Sequence, residues 1–325
     1  MADQIATEAG VNARSPEPIE ISVVAPMFNE VENLDYFFER VTAVLKRLGL
    51  SYEIVCVNDG SRDGTLAGLI RHRGGNPAIK IVDLSRNFGK DIALTAGIDH
   101  ARGAAVVPID SDLQDPPELI EELVKNWREG FEVVYATRRT RQGEGWFKQA
   151  SASLFYFIFD KLSDVKMPRN TGDFRLMDRK AVDALMRMTE RNRFMKGLFA
   201  WVGFKQTAVL YDRQPRHAGT TKWNYWRLWN FALDGITGFS SVPLRVWTYV
   251  GMFLSIGSLL YAVFLIIRTF VHGKDVEGYA STMVAILFLG GIQLITLGVL
   301  GEYMARIYTE VKGRPLYLVR EKHGL

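Results

Sequence analysis

Apolar and polar residues alternate between two rhythms over the first half of the chain. Residues 19–26, IEISVVAP, form a short apolar run that ends at a proline and is too short for a helix. In the stretch that follows, Leu34, Phe37, Phe38, Val41, Val44, Leu45 and Leu48 recur at helical spacing. YEIVCVNDGS then predicts a second strand, closed by Asp59-Gly60, with a helix after it, and IKIVDLS predicts a third strand. KDIALTAGIDHA reads as a helix and AAVVPIDSD as the fourth strand. PPELIEELVKNW follows, with Leu119, Ile120, Leu123, Val124 and Trp127 on one helical face and prolines at the helix start, where a missing N–H costs nothing. Strand–helix alternation at this rhythm predicts a doubly wound, Rossmann-like α/β fold with a parallel sheet.

The carboxyl-terminal part changes character. Residues 246–267 and 279–301 carry no charge. A helix of 22 residues is about 33 Å long, enough to cross a hydrocarbon core of about 30 Å. The linker RTFVHGKDVEG is short, so the pair is expected as a transmembrane hairpin. Arg213, Arg216, Lys222, Arg227 and Arg245 precede the first span, and Arg306, Lys312, Arg314, Arg320 and Lys322 follow the second, against Arg268 and Lys274 in the linker. That asymmetry places the amino-terminal domain and both termini in the cytoplasm, at the cell (inner) membrane. Four of the seven tryptophans fall within residues 223–247, and Trp226, Trp229 and Leu233 share one helical face, predicting an interfacial amphipathic helix. LFYFIF at 154–159 is apolar all round and reads equally as core or as interface. The expected domains are a mobile tail at 1–18, a catalytic domain at 19–212, a basic loop and interfacial helix at 213–245, two spans within 246–301 and a cytoplasmic tail at 302–325.

Composition narrows the classes. With 325 residues, 48% of them hydrophobic, the chain can bury a sizeable core. The net charge of +4 suits a membrane surface and does not call for nucleic acid. A single cysteine, Cys56, rules out a disulfide framework, and the five histidines show no zinc-ligand spacing. The first 18 residues lack an apolar segment of the signal-peptide kind.

Chemistry concentrates at the predicted strand ends. DSDLQDPPE, residues 110–118, packs three aspartates and a glutamate into nine residues. Asp110, Asp112 and Gln114 on a strand-to-helix turn suit a hard divalent cation, Mg²⁺ or Mn²⁺, whose other ligands come from water and phosphate; that points to a nucleotide diphosphate. The EF-hand alternative fails because Asp115 occupies the position that needs glycine. Pro26, Asn29 and Glu30, then Asp59 and Ser61, then Asp110 and Asp112 end successive strands, and in such sheets those ends converge on one crevice. Asp59 is suited to accept from a base N–H or a ribose hydroxyl. Arg138, Arg139 and Arg141, the pair Asp173 and Arg175, and Arg213, Arg216 and Lys222 supply clustered cations suited to phosphate. The segment 211–222 is placed to fold over a diphosphate as a lid. RNFGKD is no P-loop, lacking the leading Gly and the Ser/Thr after Lys90.

Together, AP-x-FNE, VNDGS, RNFGK, DSDLQDPPE, GDFRLM and R-x-x-G-x-T-K-W, followed by two spans, resemble the family 2 glycosyltransferases over about residues 20–318. The nearer likeness is to the polyprenyl-phosphate glycosyltransferases, similar to dolichol-phosphate mannose synthase, and nearest to the bactoprenol (undecaprenyl-phosphate) glucosyltransferase type. The resemblance implies a GT-A fold and an inverting transfer of a sugar, glucose from UDP-glucose in the nearest type, to a membrane polyprenyl phosphate. Donors carrying mannose, N-acetylhexosamine or aminoarabinose use the same frame. The resemblance also implies roles for the matched residues. Asp59 would meet the base, with Pro26, Asn29, Glu30 and Ser61 nearby, and Asp110 would line the nucleotide. Asp112 and Gln114, with Asp110, would hold the metal. Arg138 and Arg175 would grip the acceptor phosphate, Arg216 and Lys222 would close over the diphosphate, and Asp173 would be the essential carboxylate. Thr221 stands where the family usually has Ser, and the hydroxyl survives. Homo-oligomerisation is compatible with this reading. A processive synthase would need further spans and a Q-x-x-R-W motif, absent from this sequence; a catalytically silent nucleotide-sugar sensor would have no use for the Asp110/Asp112/Gln114 and Asp173/Arg175 sets.

Overall fold

A computed structural model describes residues 18–139, 168, 170–212, 237–238, 240–272 and 278–325. The predicted alternation appears as strands β1 (Ile21–Met27), β2 (Tyr52–Asn58), β3 (Ile79–Leu84) and β4 (Ala105–Pro108), separated by helices α1 (Leu34–Leu48), α2 (Thr65–Gly75) and α3 (Lys90–His100). Then come α4 (Leu119–Arg128), β5 (Val133–Arg138), β6 (Thr171–Asp178), α5 (Arg179–Met186), α6 (Met195–Trp201) and β7 (Gln206–Tyr211). Two long helices, α7 (Val242–His272) and α8 (Tyr279–Val311), precede a last strand, β8 (Val319–His323).

The eight strands form one sheet in the order β7-β5-β6-β4-β1-β2-β3-β8. β1 pairs in parallel with β2 and β4, and β2 with β3, as the alternation predicts. The sheet is nonetheless mixed. β6 lies antiparallel between β4 and β5, and β8 is antiparallel to β3. β1 also runs one residue past Pro26, and β4 stops at Pro108 rather than reaching Asp112.

Successive residues of a strand face opposite sides of the sheet, so β1 feeds two cores. Ile21, Val23 and Ala25 pack with Phe37, Val41 and Leu45 of α1 and with Ile120 and Leu123 of α4. Val24, with Val55 and Val57 of β2, packs with Leu94 and Ile98 of α3 and with Leu185, Leu198 and Phe199. Both faces are therefore covered, and the strand ends remain as the exposed edge where polar chemistry collects.

Residues 302–325 are more than a tail. α8 continues to Val311, and β8 then completes the sheet at the edge of β3. Ser85 N–H donates to the Leu318 carbonyl at 2.9 Å, Tyr317 O–H donates to Asp99 at 2.5 Å, and Arg320 pairs with the buried Asp83 at 3.4 Å. α7 and α8 are exposed and apolar, each long enough to cross a membrane (Val242–Val271 and Ser281–Val311). The expected interfacial helix lies mostly outside the described residues, as does LFYFIF at 154–159.

Candidate active site

The strand ends carry backbone that protein chains adopt reluctantly. Asn29 (φ 55°), Leu113 (φ 46°) and Asn170 (φ 58°) are left-handed without being glycine. They sit just after β1, in the DSDLQ turn and just before β6. Such conformations cost about 1–3 kcal/mol each and persist where the surroundings over-determine them. Asn29 is held by N–H donation to Ser61 Oγ at 3.0 Å and by accepting the Arg62 N–H at 2.8 Å. Glu30 N–H donates to Thr65 Oγ1 at 2.9 Å. The expected residues after β1 and β2 thus form one hydrogen-bonded rim.

Asp59, expected to meet the base, follows β2 directly. It is 2% exposed, and its two carboxylate oxygens accept the backbone N–H groups of Phe88 (2.7 Å) and Gly89 (3.0 Å). Burial pushes its pKa above the ordinary value, and those two donors only partly offset the effect. Asn87 Nδ2 donates to the Asp59 carbonyl at 3.2 Å. Gly60 (φ +63°) lies so close to Arg86 and Asn87 that a Cβ would meet backbone at 2.4 Å. Asp59 and Gly60 therefore clamp the loop RNFG, residues 86–89.

The clamped loop delivers Lys90, to which the RNFGKD stretch, no P-loop, had lent no role. Its ammonium bridges Asp110 (2.7 Å) and Asp173 (2.8 Å). One carboxylate follows β4 and the other belongs to β6, so the bridge spans the point where parallel pairing gives way to antiparallel. Burial alone would raise the Asp173 pKa; Lys90, Lys196 and Arg175 outweigh it and hold this carboxyl well below the usual range. Lys90 is held well above its ordinary value by Asp110 and Asp173, against the opposing effect of burial. Asp91 is pushed up to about 7, by burial first and Asp173 next. Lys196 on α6 is lowered, chiefly by burial. Lys90, Asp91 and Lys196 are the members that sequence reasoning missed. The available signal was position: Lys90 follows β3 as Asp59 follows β2 and Asp110 follows β4.

The two arginines expected at the acceptor phosphate have different surroundings. Arg175 is 6% exposed, stacks 3.9 Å over the Phe199 ring and donates to the Gly172 carbonyl at 2.8 Å. Desolvation lowers its pKa to about 10. Its contacts brace the start of β6. Arg138, at the end of β5, is part-buried; its Nε donates to Tyr211 Oη at 3.1 Å, and it lies 3.7 Å from Asp115. Tyr211 in turn donates a short hydrogen bond to Asp115. Arg216 and Lys222 lie outside the described residues.

The DSDLQ turn can be tested as a metal seat. Leu113 buries its side chain to 2% exposure, which leaves Asp112 and Gln114 half-buried on either side of it. Gln114 N–H donates to Asp112 Oδ1 at 3.2 Å. Mg²⁺ takes one or two carboxylates and completes its shell with water and phosphate, and this donor set fits that demand. Among the described residues no group of three or more His, Cys, Asp or Glu is arranged to hold a metal unaided.

Comparison with known proteins agrees with this architecture. Residues 22–186 match the family described as glycosyl transferase family 2, and residues 242–307 match the GtrB C-terminal hairpin. An uncharacterized glycosyltransferase of Synechocystis is 64% identical, covering 94% of this chain and 96% of its own. A bactoprenol glucosyl transferase of Shigella phage SfII is 48% identical, covering 94% and 99%. A prophage bactoprenol glucosyl transferase homolog of Escherichia coli is 46% identical, covering 93% and 99%.

Proposed function

The chain belongs to glycosyltransferase family 2, with the GT-A fold, and on that premise we propose that it transfers glucose from UDP-glucose to the phosphate of a membrane undecaprenyl phosphate, with inversion. The observation that carries the reading is the Asp110–Lys90–Asp173 bridge at the sheet's open edge, on a chain that also carries a two-helix apolar hairpin. The hairpin accounts for the acceptor: a polyprenyl phosphate cannot leave the bilayer, so the enzyme must come to it. Basic residues flanking the hairpin favour the site and both chain ends on the cytoplasmic side.

The chemistry asks little of a base. A phosphate monoester has its second pKa near 6 and is largely dianionic at neutral pH. It attacks the anomeric carbon from the face opposite the leaving diphosphate, and no proton needs removing. Asp173 suits this, because a carboxylate held so firmly ionised is a poor proton acceptor. Its charge is placed to stabilise positive character developing on the sugar. Asp112 and Gln114, with Asp110, would hold Mg²⁺ or Mn²⁺, which when bound neutralises the departing diphosphate. Arg138 is the described arginine best placed for the acceptor phosphate, and Arg175 supports it by bracing Gly172 and Asp173.

The test uses purified protein in membranes with undecaprenyl phosphate, Mg²⁺ and a panel of labelled nucleotide-sugars. Label is expected to pass from UDP-glucose into the lipid phase and to be lost with EDTA or Asp112→Ala. Label from another donor would correct the sugar and keep the mechanism. No lipid label from any donor would overturn the reading.

A further inference from the structure

The Lys90 bridge could be an ordinary surface ion pair, worth no more than about 1 kcal/mol. Its setting says otherwise. The ammonium, itself half-exposed, is forked between Asp110 after β4 and Asp173 on β6, and the Asp173 side chain is only 13% exposed. Behind it, a buried carboxylate spends both oxygens on backbone N–H groups of the loop that ends at Lys90. Burying an aspartate is costly unless it is hydrogen-bonded, so the loop that supplies both donors is tied to this position. Gly60 adds a second constraint, since any side chain would push the same loop outward.

We propose that Lys90 is a positioning residue of the transfer: it holds the donor-side Asp110 and the Asp173 carboxylate at a fixed spacing, from a mount formed by Asp59, Gly60 and residues 86–89. The proposal rests on the glycosyl-transfer reading above. Without the ammonium, Asp110 and Asp173 would face each other as like charges and move apart. Asp173 would then no longer stand where positive charge develops. Asp59 acts at one remove, through the loop, so its loss should be felt in the reaction step rather than in recognition of the base.

The experiment compares full-length wild type, Lys90→Met, Lys90→Arg and Asp59→Asn in membranes, with UDP-glucose as donor and undecaprenyl phosphate saturating. Lys90→Met is expected to lower kcat on the order of 100-fold, the scale of losing one preorganised electrostatic group, while KM for UDP-glucose stays within about threefold. Lys90→Arg, keeping the charge, should recover about tenfold of that loss. Asp59→Asn offers one acceptor and one donor where two acceptors are needed, and should lower kcat without raising KM. Thermal midpoints of the Lys90 variants close to wild type would exclude misfolding. A Lys90→Met variant with kcat retained and KM raised more than about tenfold would make Lys90 a diphosphate ligand instead. One unchanged in both constants would reduce the bridge to a surface pair. Either result on an active wild type sinks this proposal alone; a wild type that labels no lipid sinks the transfer reading and this proposal with it.

Discussion

Asp173 and Asp91 are close in space and opposite in state, and Lys90 lies between their fates. Asp173, beside Lys90, Lys196 and Arg175, stays ionised although burial pushes its pKa the other way. Asp173→Asn keeps the shape and removes the charge, so kcat should fall by about 100- to 1000-fold, roughly 2.7–4 kcal/mol of transition-state stabilisation. A variant that keeps most of its activity would show that the charge is not used. Asp91 holds its proton up to about 7, whereas in the unfolded chain it ionises near 4. Between those values the folded protein binds a proton that the unfolded chain has lost, so this group's contribution to stability falls as pH rises from about 4 to about 7 and is level beyond. Asp91→Asn removes that dependence. Its melting midpoint relative to wild type should be more favourable at pH 8 than at pH 5; a constant difference across that range would contradict the assignment.

At the scale of elements, the loop after β2 and the strand β8 matter most. Gly60→Ala places a Cβ against the backbone of Arg86 at a left-handed φ. The strain should cost about 1–3 kcal/mol of stability and displace the 86–89 loop, so activity should fall further than the melting midpoint alone would explain. β8 caps the edge of β3, and Arg320 is the partner of the buried Asp83. Removing residues 317–325 would bare that edge and leave Asp83 with Asn58 Nδ2, at 2.7 Å. The expected loss is about 2–4 kcal/mol, which for a domain of roughly 200 residues lowers the midpoint by about 5–15 °C. Thermal unfolding in detergent reads this directly, and a change under about 2 °C would show β8 to be dispensable.

For the molecule as a whole, the hairpin and the catalytic sheet are not separable by one cut. The chain leaves the sheet after β7, passes through α7 and α8, and returns to it as β8. Arg191 N–H donates to Glu310 at 2.7 Å and Tyr303 O–H to the Ser240 carbonyl at 2.7 Å, fastening the end of α8 to the segments beside it. A fragment ending at residue 241 would therefore lose both the apolar hairpin and the sheet's edge strand. Such a fragment should melt lower than one in which residues 315–325 are joined back through a flexible linker, although neither contains the hairpin. Equal midpoints would mean that β8 docks without stabilising.

Much of this was legible in one dimension because periodicity is a local property. The spacing from Leu34 to Leu48 and the runs at 21–27, 52–58 and 79–84 report which side of each element is apolar, and burial follows from that alone. The uncharged runs of α7 and α8 are legible for the same reason: the bilayer's thickness fixes the length needed. Strand ends rich in Asp, Asn and Ser marked the crevice, because parallel pairing brings those ends together. Pairing partners across long separations are another matter. Nothing in 171–178 or 319–323 announces an antiparallel insertion or an edge strand, since direction depends on the route the chain takes between elements. Nor does the order of residues show that Asp59 holds the 86–89 loop or that Arg175 stacks on Phe199. Those outcomes turn on a few ångströms between groups from distant parts of the chain. The charge at Asp173 is the clearest case: its state is set by Lys90, 83 positions earlier in the sequence and 2.8 Å away in the fold.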